Sequence, residues 1–378
     1  MKKIAIVYDW FDKWGGVERI LLILHEIFPN AIFYTSYFDQ NKALWARNLR
    51  VKTSFIQQLP AIIKRSRLFS LPFYPIAFET HDFSGYDLVI SVTSSFAKGI
   101  ITRPKTYHLC YLLTPTRFLW IDPKAYGIFS LKKIIFSPYL SYLKKWDWVA
   151  AQRPDKVVSI SKTVADRCQR VYQRESKVIY PPFDINYWEK IKTKVKNKKL
   201  TINISNDSYF LVVSRLEPYK RVDLVVKAFN KLRRPLLIIV GTGSQENYLK
   251  SIGKKNIHFF SNLTDEQLAI LYSKAEGLIM PQEEDFGYVA LEAQFFGCPV
   301  IAYKKGGATE TIIEKKTGIF FDSQTVDSLM TALETFQAIS YNLKKIISKF
   351  ALLNIQQFSK DKFKRDFKYL ITKNLKLL

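Results

Sequence analysis

The chain has 378 residues, is 48% apolar and carries a formal net charge of +25. That length predicts two domains rather than one, and with 14 Gly and 15 Pro it is neither collagen-like nor of low complexity. Cys110, Cys168 and Cys298, like His25, His81, His108 and His258, are too scattered for a disulfide framework or a zinc site.

The cysteine usage predicts a reducing compartment. The charge excess concerns partners and location, and points to phosphorylated small molecules, an anionic membrane face or nucleic acid. The first apolar run, Ile4–Tyr8, is too short for a signal segment. No stretch approaches the roughly 20 apolar residues that span a bilayer. The expected location is therefore cytoplasmic, at most resting on the membrane.

Ile4–Tyr8 reads as a buried parallel strand, and Val17, Ile20, Leu21, Leu24, Ile27 and Phe28 follow at helical spacing. Further strands are predicted at Ala31–Thr35, Asp87–Ser91, Tyr107–Tyr111, Lys156–Ser159 and Lys177–Tyr180, with a helix from Lys162 to about Tyr172. Pro181-Pro182 closes this pattern, and the basic stretch 189–200 is the best linker candidate. The alternation restarts with strands at Phe210–Ser214, Leu236–Gly241, Ile257–Phe260, Gly277–Met280 and Pro299–Tyr303. Helices are predicted between them at 219–232, 244–252, 265–274 and 287–296. A helical tail, Leu343–Leu378, carries ten Lys/Arg against Asp361 and Asp366. The expected class is α/β with two doubly wound parallel sheets. The expected domains are 1–182 with a C-terminal helix of about 359–378, a linker at 183–200, and 201–358.

Parallel sheets bind ligands beyond the carboxyl ends of their strands, and four loops there carry chemistry. The first, Trp14-Gly15-Gly16-Val17-Glu18-Arg19, opens the first helix; it is either an anion site or a plain Gly-rich turn. In the second, Arg215 and Lys220 stand at opposite ends of a short loop and can converge on one diphosphate, or be two solvated cations. Glu217 between them is expected to face away. The third runs from Glu283 to Glu292. Glu284 and Glu292 suit the hydroxyls of a sugar and a ribose, and Gly287 leaves the backbone N–H groups of a helix start open to phosphate. The plainer reading of the pair is one capping carboxylate and one surface carboxylate. In the fourth, Gly306-Gly307 lets a loop pass close to the same site, and Thr309 or Glu310 caps the next helix. Gly241 and Gly243 read as a tight turn beside a nucleotide cleft.

Together, SRLEPYK (214–220), VGTG (240–243), the carboxylates of 284 and 292, and GGATE (306–310) resemble the retaining GT-B glycosyltransferases of family four. The stretches DFSGYDLVIS (82–91) and YLLTPTRFLW (111–120) look like the subgroup of bacterial O-antigen mannosyltransferases. The resemblance implies two facing Rossmann-like domains with a C-terminal helix crossing back to the first. It implies that Arg215 and Lys220 bind the donor diphosphate, that Glu284 holds the transferred sugar, and that Phe286, Gly287 and Tyr288 present backbone N–H groups. Glu292 would bind the ribose, and Gly16 would approach the phosphate from the facing domain. Where the subgroup carries histidine this chain has Leu113, which leaves His108 as a nearby imidazole that strand alternation can turn away.

The expected reaction is hexosyl transfer with retention, without metal and without an obligatory nucleophile. Cations and backbone donors would stabilise the departing diphosphate. The donor is a nucleotide sugar, GDP-mannose first and a UDP-sugar next. The acceptor is a glycan or a polyprenyl-diphosphate-linked saccharide of cell-surface polysaccharide or lipopolysaccharide synthesis. The aromatic and basic segments 54–78 and 126–149 are candidates for an anionic membrane surface, or else amphipathic core helices. A non-catalytic nucleotide-sugar-binding or assembly subunit is the competing reading. Specific nucleic-acid binding finds no supporting motif.

Overall fold

Seven strands of the first half lie side by side as one parallel sheet. They are β1 (Ile4–Tyr8), β2 (Ile32–Thr35), β3 (Val51–Thr53), β4 (Leu88–Thr93), β5 (Tyr107–Leu112), β6 (Lys156–Ser159) and β7 (Lys177–Val178), ordered β3-β2-β1-β4-β5-β6-β7. Ile4 stands opposite Leu88, and all six residues of β4 are buried, as expected of a central strand covered on both faces. This is a computed structural model, describing residues 2–123, 133–196, 198, 208–232 and 234–375.

The second sheet comprises β8 (Tyr209–Val213), β9 (Leu236–Val240), β10 (Ile257–Phe260), β11 (Gly277–Met280), β12 (Val300–Tyr303) and β13 (Gly318–Phe321), ordered β10-β9-β8-β11-β12-β13. Each sheet belongs to its own unit, Met1–Pro182 with Phe363–Leu378, and Phe183–Lys362. Both are Rossmann-like, and in both the first strand pairs with the fourth: β1 with β4, and β8 with β11. That is the point where strand order reverses, and where such sheets open a crevice.

Helices cover the sheets where the apolar spacing placed them. Gly16–Ile27 buries Ile20, Leu21, Ile23 and Leu24. Lys162–Tyr172 starts at Ser161, whose hydroxyl accepts from the Val164 N–H at 3.1 Å. Asp265–Lys274 starts with a reciprocal capping box between Thr264 and Gln267.

Three differences from the sequence reading stand out. The expected linker is largely a helix, Ile185–Val195, which buries Trp188, Ile191 and Val195. Its three large apolar residues, spaced three and four apart, outweigh its lysines. Residues 197, 199 and 200 of that expected linker lie outside the described residues. The edge strands β3 and β13 were not anticipated; with three and four residues they are too short to show a period. The C-terminal tail is two helices, Val326–Gln356 and Lys360–Leu375. From Phe363 onward the second belongs to the first unit, where Phe363 and Phe367 each set an edge against Tyr111 with centroids 5.9 Å apart.

Candidate donor site at the β8–β11 switch point

Arg215 and Lys220 follow β8, and Glu284 follows β11, so neighbouring strands deliver them to the carboxyl edge of the second sheet. The Lys220 ammonium donates to Glu284 Oε1 at 2.6 Å, and the Gln282 amide donates to the same oxygen at 2.7 Å. Arg215 donates to the Tyr219 hydroxyl at 2.7 Å, and the Tyr219 ring lies 5.3 Å from the Lys220 nitrogen. The run Arg215–Tyr219–Lys220–Glu284 is therefore continuous. Both cations of the sequence reading and one of its two carboxylates meet here.

The helix Tyr288–Phe295 begins beside this run, at Gly287. That residue has φ +93°, a left-handed conformation that glycine adopts without cost, and no side chain caps the helix. A helix N-terminus without a side-chain cap favours an anion through its backbone N–H groups and its dipole. Phe286 is a core residue whose ring packs edge-on against Tyr288 and Phe358, at 5.2 and 5.4 Å. It fixes the loop from behind. Glu292 sits one turn into the helix, buried, and accepts from the Tyr272 hydroxyl at 3.2 Å. Neither Glu284 nor Glu292 is the cap of this helix.

The glycines act one layer back. A Cβ on Gly307 would lie 2.5 Å from the Phe286 Cα, and one on Gly306 would lie 2.4 Å from the Glu284 carbonyl oxygen. The Gly307 N–H donates to that carbonyl at 2.7 Å. The pair thus lets the loop after β12 lie against the Glu284 loop and hold it. Gly241 does the same after β9, since a Cβ there would meet the Ser214 carbonyl oxygen at 1.9 Å.

Glu217 faces away from the two cations, as expected, while the expected cap of the next helix changes. Glu217 turns to the adjacent loop, where Ser244 donates from its hydroxyl at 2.6 Å and its N–H at 3.3 Å. Neither Thr309 nor Glu310 caps the helix Ala308–Thr311; Gly307 is the cap residue, and the Thr309 hydroxyl donates to the Gly306 carbonyl at 2.8 Å.

In the first unit, Gly16 opens the helix Gly16–Ile27 beyond β1. The Glu18 carboxylate folds back there, close to Gly15, and its own backbone N–H donates to it; burial pushes its pKa up. A carboxylate so placed offsets part of the attraction that the helix start has for an incoming anion.

His108 points into the core, not toward the sheet's edge. Its Nε2 lies 2.7 Å from the Ser91 hydroxyl, and burial lowers its pKa to about 3. Leu113, also buried, gives its N–H to the Thr93 carbonyl at 2.8 Å. Sequence reasoning missed Asp9. Its buried carboxylate accepts from the Thr93 hydroxyl and from the N–H groups of Ser94, Phe96 and Ala97, all at 2.8–2.9 Å. The signal for it was a lone acid directly after an apolar strand.

Residues 194–351 match the family model described as "Glycosyl transferases group 1". A GDP-mannose-dependent alpha-(1-6)-phosphatidylinositol monomannoside mannosyltransferase of Mycolicibacterium smegmatis is 33% identical over 32% of this chain and 36% of its own length. An uncharacterized glycosyltransferase of Methanocaldococcus jannaschii is 27% identical over 48% of this chain. The chain spans about half the length of that relative, 51%. In fold, the crystal structure of Anabaena HepE in complex with UDP superposes with a TM-score of 0.71 at 18% identity, over 98% of this chain and 100% of that one. The two units thus share the GT-B architecture of solved glycosyltransferases, and the stretch matched by the family model lies within the second unit and includes Lys220 and Glu284.

Proposed function

We propose that this chain is a retaining hexosyltransferase, which moves mannose from GDP-mannose, or a hexose from a UDP-sugar, to a glycan or polyprenyl-diphosphate-linked acceptor in cell-surface polysaccharide synthesis. The observation that carries the reading is the Lys220–Glu284 pair at 2.6 Å on the carboxyl edge of the sheet. The mannosyl and GDP part is supported by the activity for which the Mycolicibacterium relative is named.

The chemistry follows from the charges. Breaking the sugar–phosphate bond builds negative charge on the leaving diphosphate and positive charge on the sugar. In the free protein Glu284 neutralises the Lys220 ammonium. A bound diphosphate takes that ammonium, joined by the Arg215 guanidinium and the helix start at Gly287, and Glu284 is released to accept hydrogen bonds from the sugar hydroxyls. Both exchanges strengthen as the bond breaks, which is the differential stabilisation that catalysis needs. Glu292 takes the ribose hydroxyls, while Tyr288 and Gly241 flank the nucleotide. No step requires a metal ion, and transfer is expected to persist in excess chelator.

Thermal-shift measurements with GDP, UDP and ADP sugars test the donor reading, because a ligand of the native state raises Tm. If none of them shifts Tm, and none is turned over, the reading fails. Leu113, in place of the subgroup's histidine, favours a second reading, a nucleotide-sugar-binding subunit without transfer; donor binding without turnover on an acceptor panel would select it.

A peripheral contact with anionic membrane on the cytoplasmic face belongs to the same proposal. Ile62, Leu68, Phe69 and Ile76 are exposed in the first unit, next to Lys64, Arg65 and Arg67, an arrangement suited to an anionic interface. The other candidate segment lies partly outside the described residues, at 126–132. Among the described residues no helix is long and apolar enough to cross a membrane. Flotation with anionic liposomes at low salt decides it, and a chain that stays at the bottom removes the idea.

A further inference from the structure

The first sheet has its own switch point, between β1 and β4, and a cavity of about 330 Å³ lies just beyond it. That volume is at the small end of the ligand cavities of proteins, about 300–1,000 Å³. Its wall is apolar: Trp10, Leu68, Leu71, Tyr74, Phe96 and Phe118. The rings form a continuous surface, Trp10 to Tyr74 at 5.6 Å, Tyr74 stacked on Phe96 at 4.8 Å, and Phe96 to Phe118 at 6.2 Å.

Two guanidinium groups, of Arg67 and Arg117, also line the cavity. Arg67 lies over the Trp10 ring at 3.5 Å and pairs with Asp12, yet its Nη1 is buried without a hydrogen-bond partner among the described residues. An open donor on a buried guanidinium nitrogen is costly unless an acceptor arrives. The floor is rigid, because Asp9 ties down the N–H groups of Ser94, Phe96 and Ala97. Among the described residues that line the cavity the polar side chains are Arg67, Arg117, Ser94 and Ser95, with no carboxylate or carboxamide of the kind that holds the many hydroxyls of a sugar.

We propose that this cavity binds a single-chain amphiphile, an apolar chain ending in a phosphate or diphosphate, with the chain against the aromatic wall and the head on the two guanidiniums. Only the role of this ligand, as the anchor of the acceptor, rests on the transferase reading. Its binding does not.

The test is calorimetric titration of the whole chain with farnesyl phosphate below its micellar concentration, with farnesol and inorganic phosphate as half-ligands. The expected result is one saturable site for farnesyl phosphate, with each half-ligand at least about tenfold weaker. Leu68 is 53% exposed, so Leu68→Glu is compatible with folding; it should weaken farnesyl phosphate about tenfold by placing a carboxylate at the apolar wall. Arg117→Gln should weaken farnesyl phosphate about tenfold and leave farnesol unchanged. Equal binding of inorganic phosphate or of farnesol, or variants that bind as the parent does, overturns the proposal. So does binding to phosphatidic acid vesicles with none to monomeric farnesyl phosphate, which would assign the chemistry to a bilayer. Binding that survives in a chain unresponsive to any nucleotide sugar sinks the transferase reading and leaves this site standing; donor binding without amphiphile binding does the reverse.

Discussion

In each unit a largely buried lysine–carboxylate pair lies near the carboxyl ends of the strands, and in both the nitrogen and oxygen are 2.6 Å apart. In the first unit, Lys98 and Asp147 have side chains 1% and 0% exposed. Lys98 also donates to the Thr116 hydroxyl and the Ser95 carbonyl, and Asp147 accepts from Thr116, Trp120 and Tyr172. Every ammonium proton is used and no ligand can enter. In the second unit, Lys220 and Glu284 are 11% and 18% exposed, and the Lys220 ammonium has one hydrogen-bond acceptor among the described residues. Distance alone does not separate a structural pair from one poised to exchange partners. Access and spare hydrogen-bonding capacity do.

The contrast is tested most severely by removing one partner from each pair. Asp147→Ala should cost about 3–5 kcal/mol of unfolding free energy, because it strands a buried ammonium; denaturant titration measures it. Lys220→Met should leave that stability within about 1 kcal/mol, yet reduce kcat about 100-fold or more, some 3 kcal/mol of barrier. If Lys220→Met unfolds the chain while turnover per folded molecule is kept, the two pairs are of one kind and the comparison fails.

A smaller effect concerns His108 in the first unit. Its pKa falls to about 3 in the folded chain, against about 6.5 when unfolded, so below pH 6.5 the unfolded chain binds the extra proton. Stability is intact above that pH and is lost as pH falls toward 3. At pH 5 the loss from this one residue is about 2 kcal/mol. It is read as the difference in slope between the parent and His108→Gln in denaturation at pH 7.5 and pH 5, and parallel slopes would contradict it. The smallest effect is at the helix start. Gly287→Ala should cost about 1–2 kcal/mol of stability through its positive φ, and raise the donor KM more than it lowers kcat.

What the sequence disclosed divides along the same line. Strand and helix positions were legible because apolar period and loop residues are local signals; Lys162–Tyr172 and Asp265–Lys274 fall where the spacing put them. The loops of the candidate site were legible because Arg215 and Lys220 share one loop, and Glu284 and Glu292 share one strand-to-helix junction. Lys98 and Asp147 are 49 residues apart and joined only by the fold, so no spacing announced them. The close approach that Gly306-Gly307 allows was legible, but the backbone it approaches was not. Gly306 and Gly307 support the neighbouring Glu284 loop, a role fixed by backbone-to-backbone approach across two strands.

The return of Phe363 and Phe367 to Tyr111 sets an order for synthesis on the ribosome. The second unit, Phe183–Lys362, has all its residues before those two phenylalanines are made. The first unit, although translated first, must wait through that whole interval with the Tyr111 surface uncovered. A truncation at residue 360 therefore injures the half of the protein most distant from it in sequence.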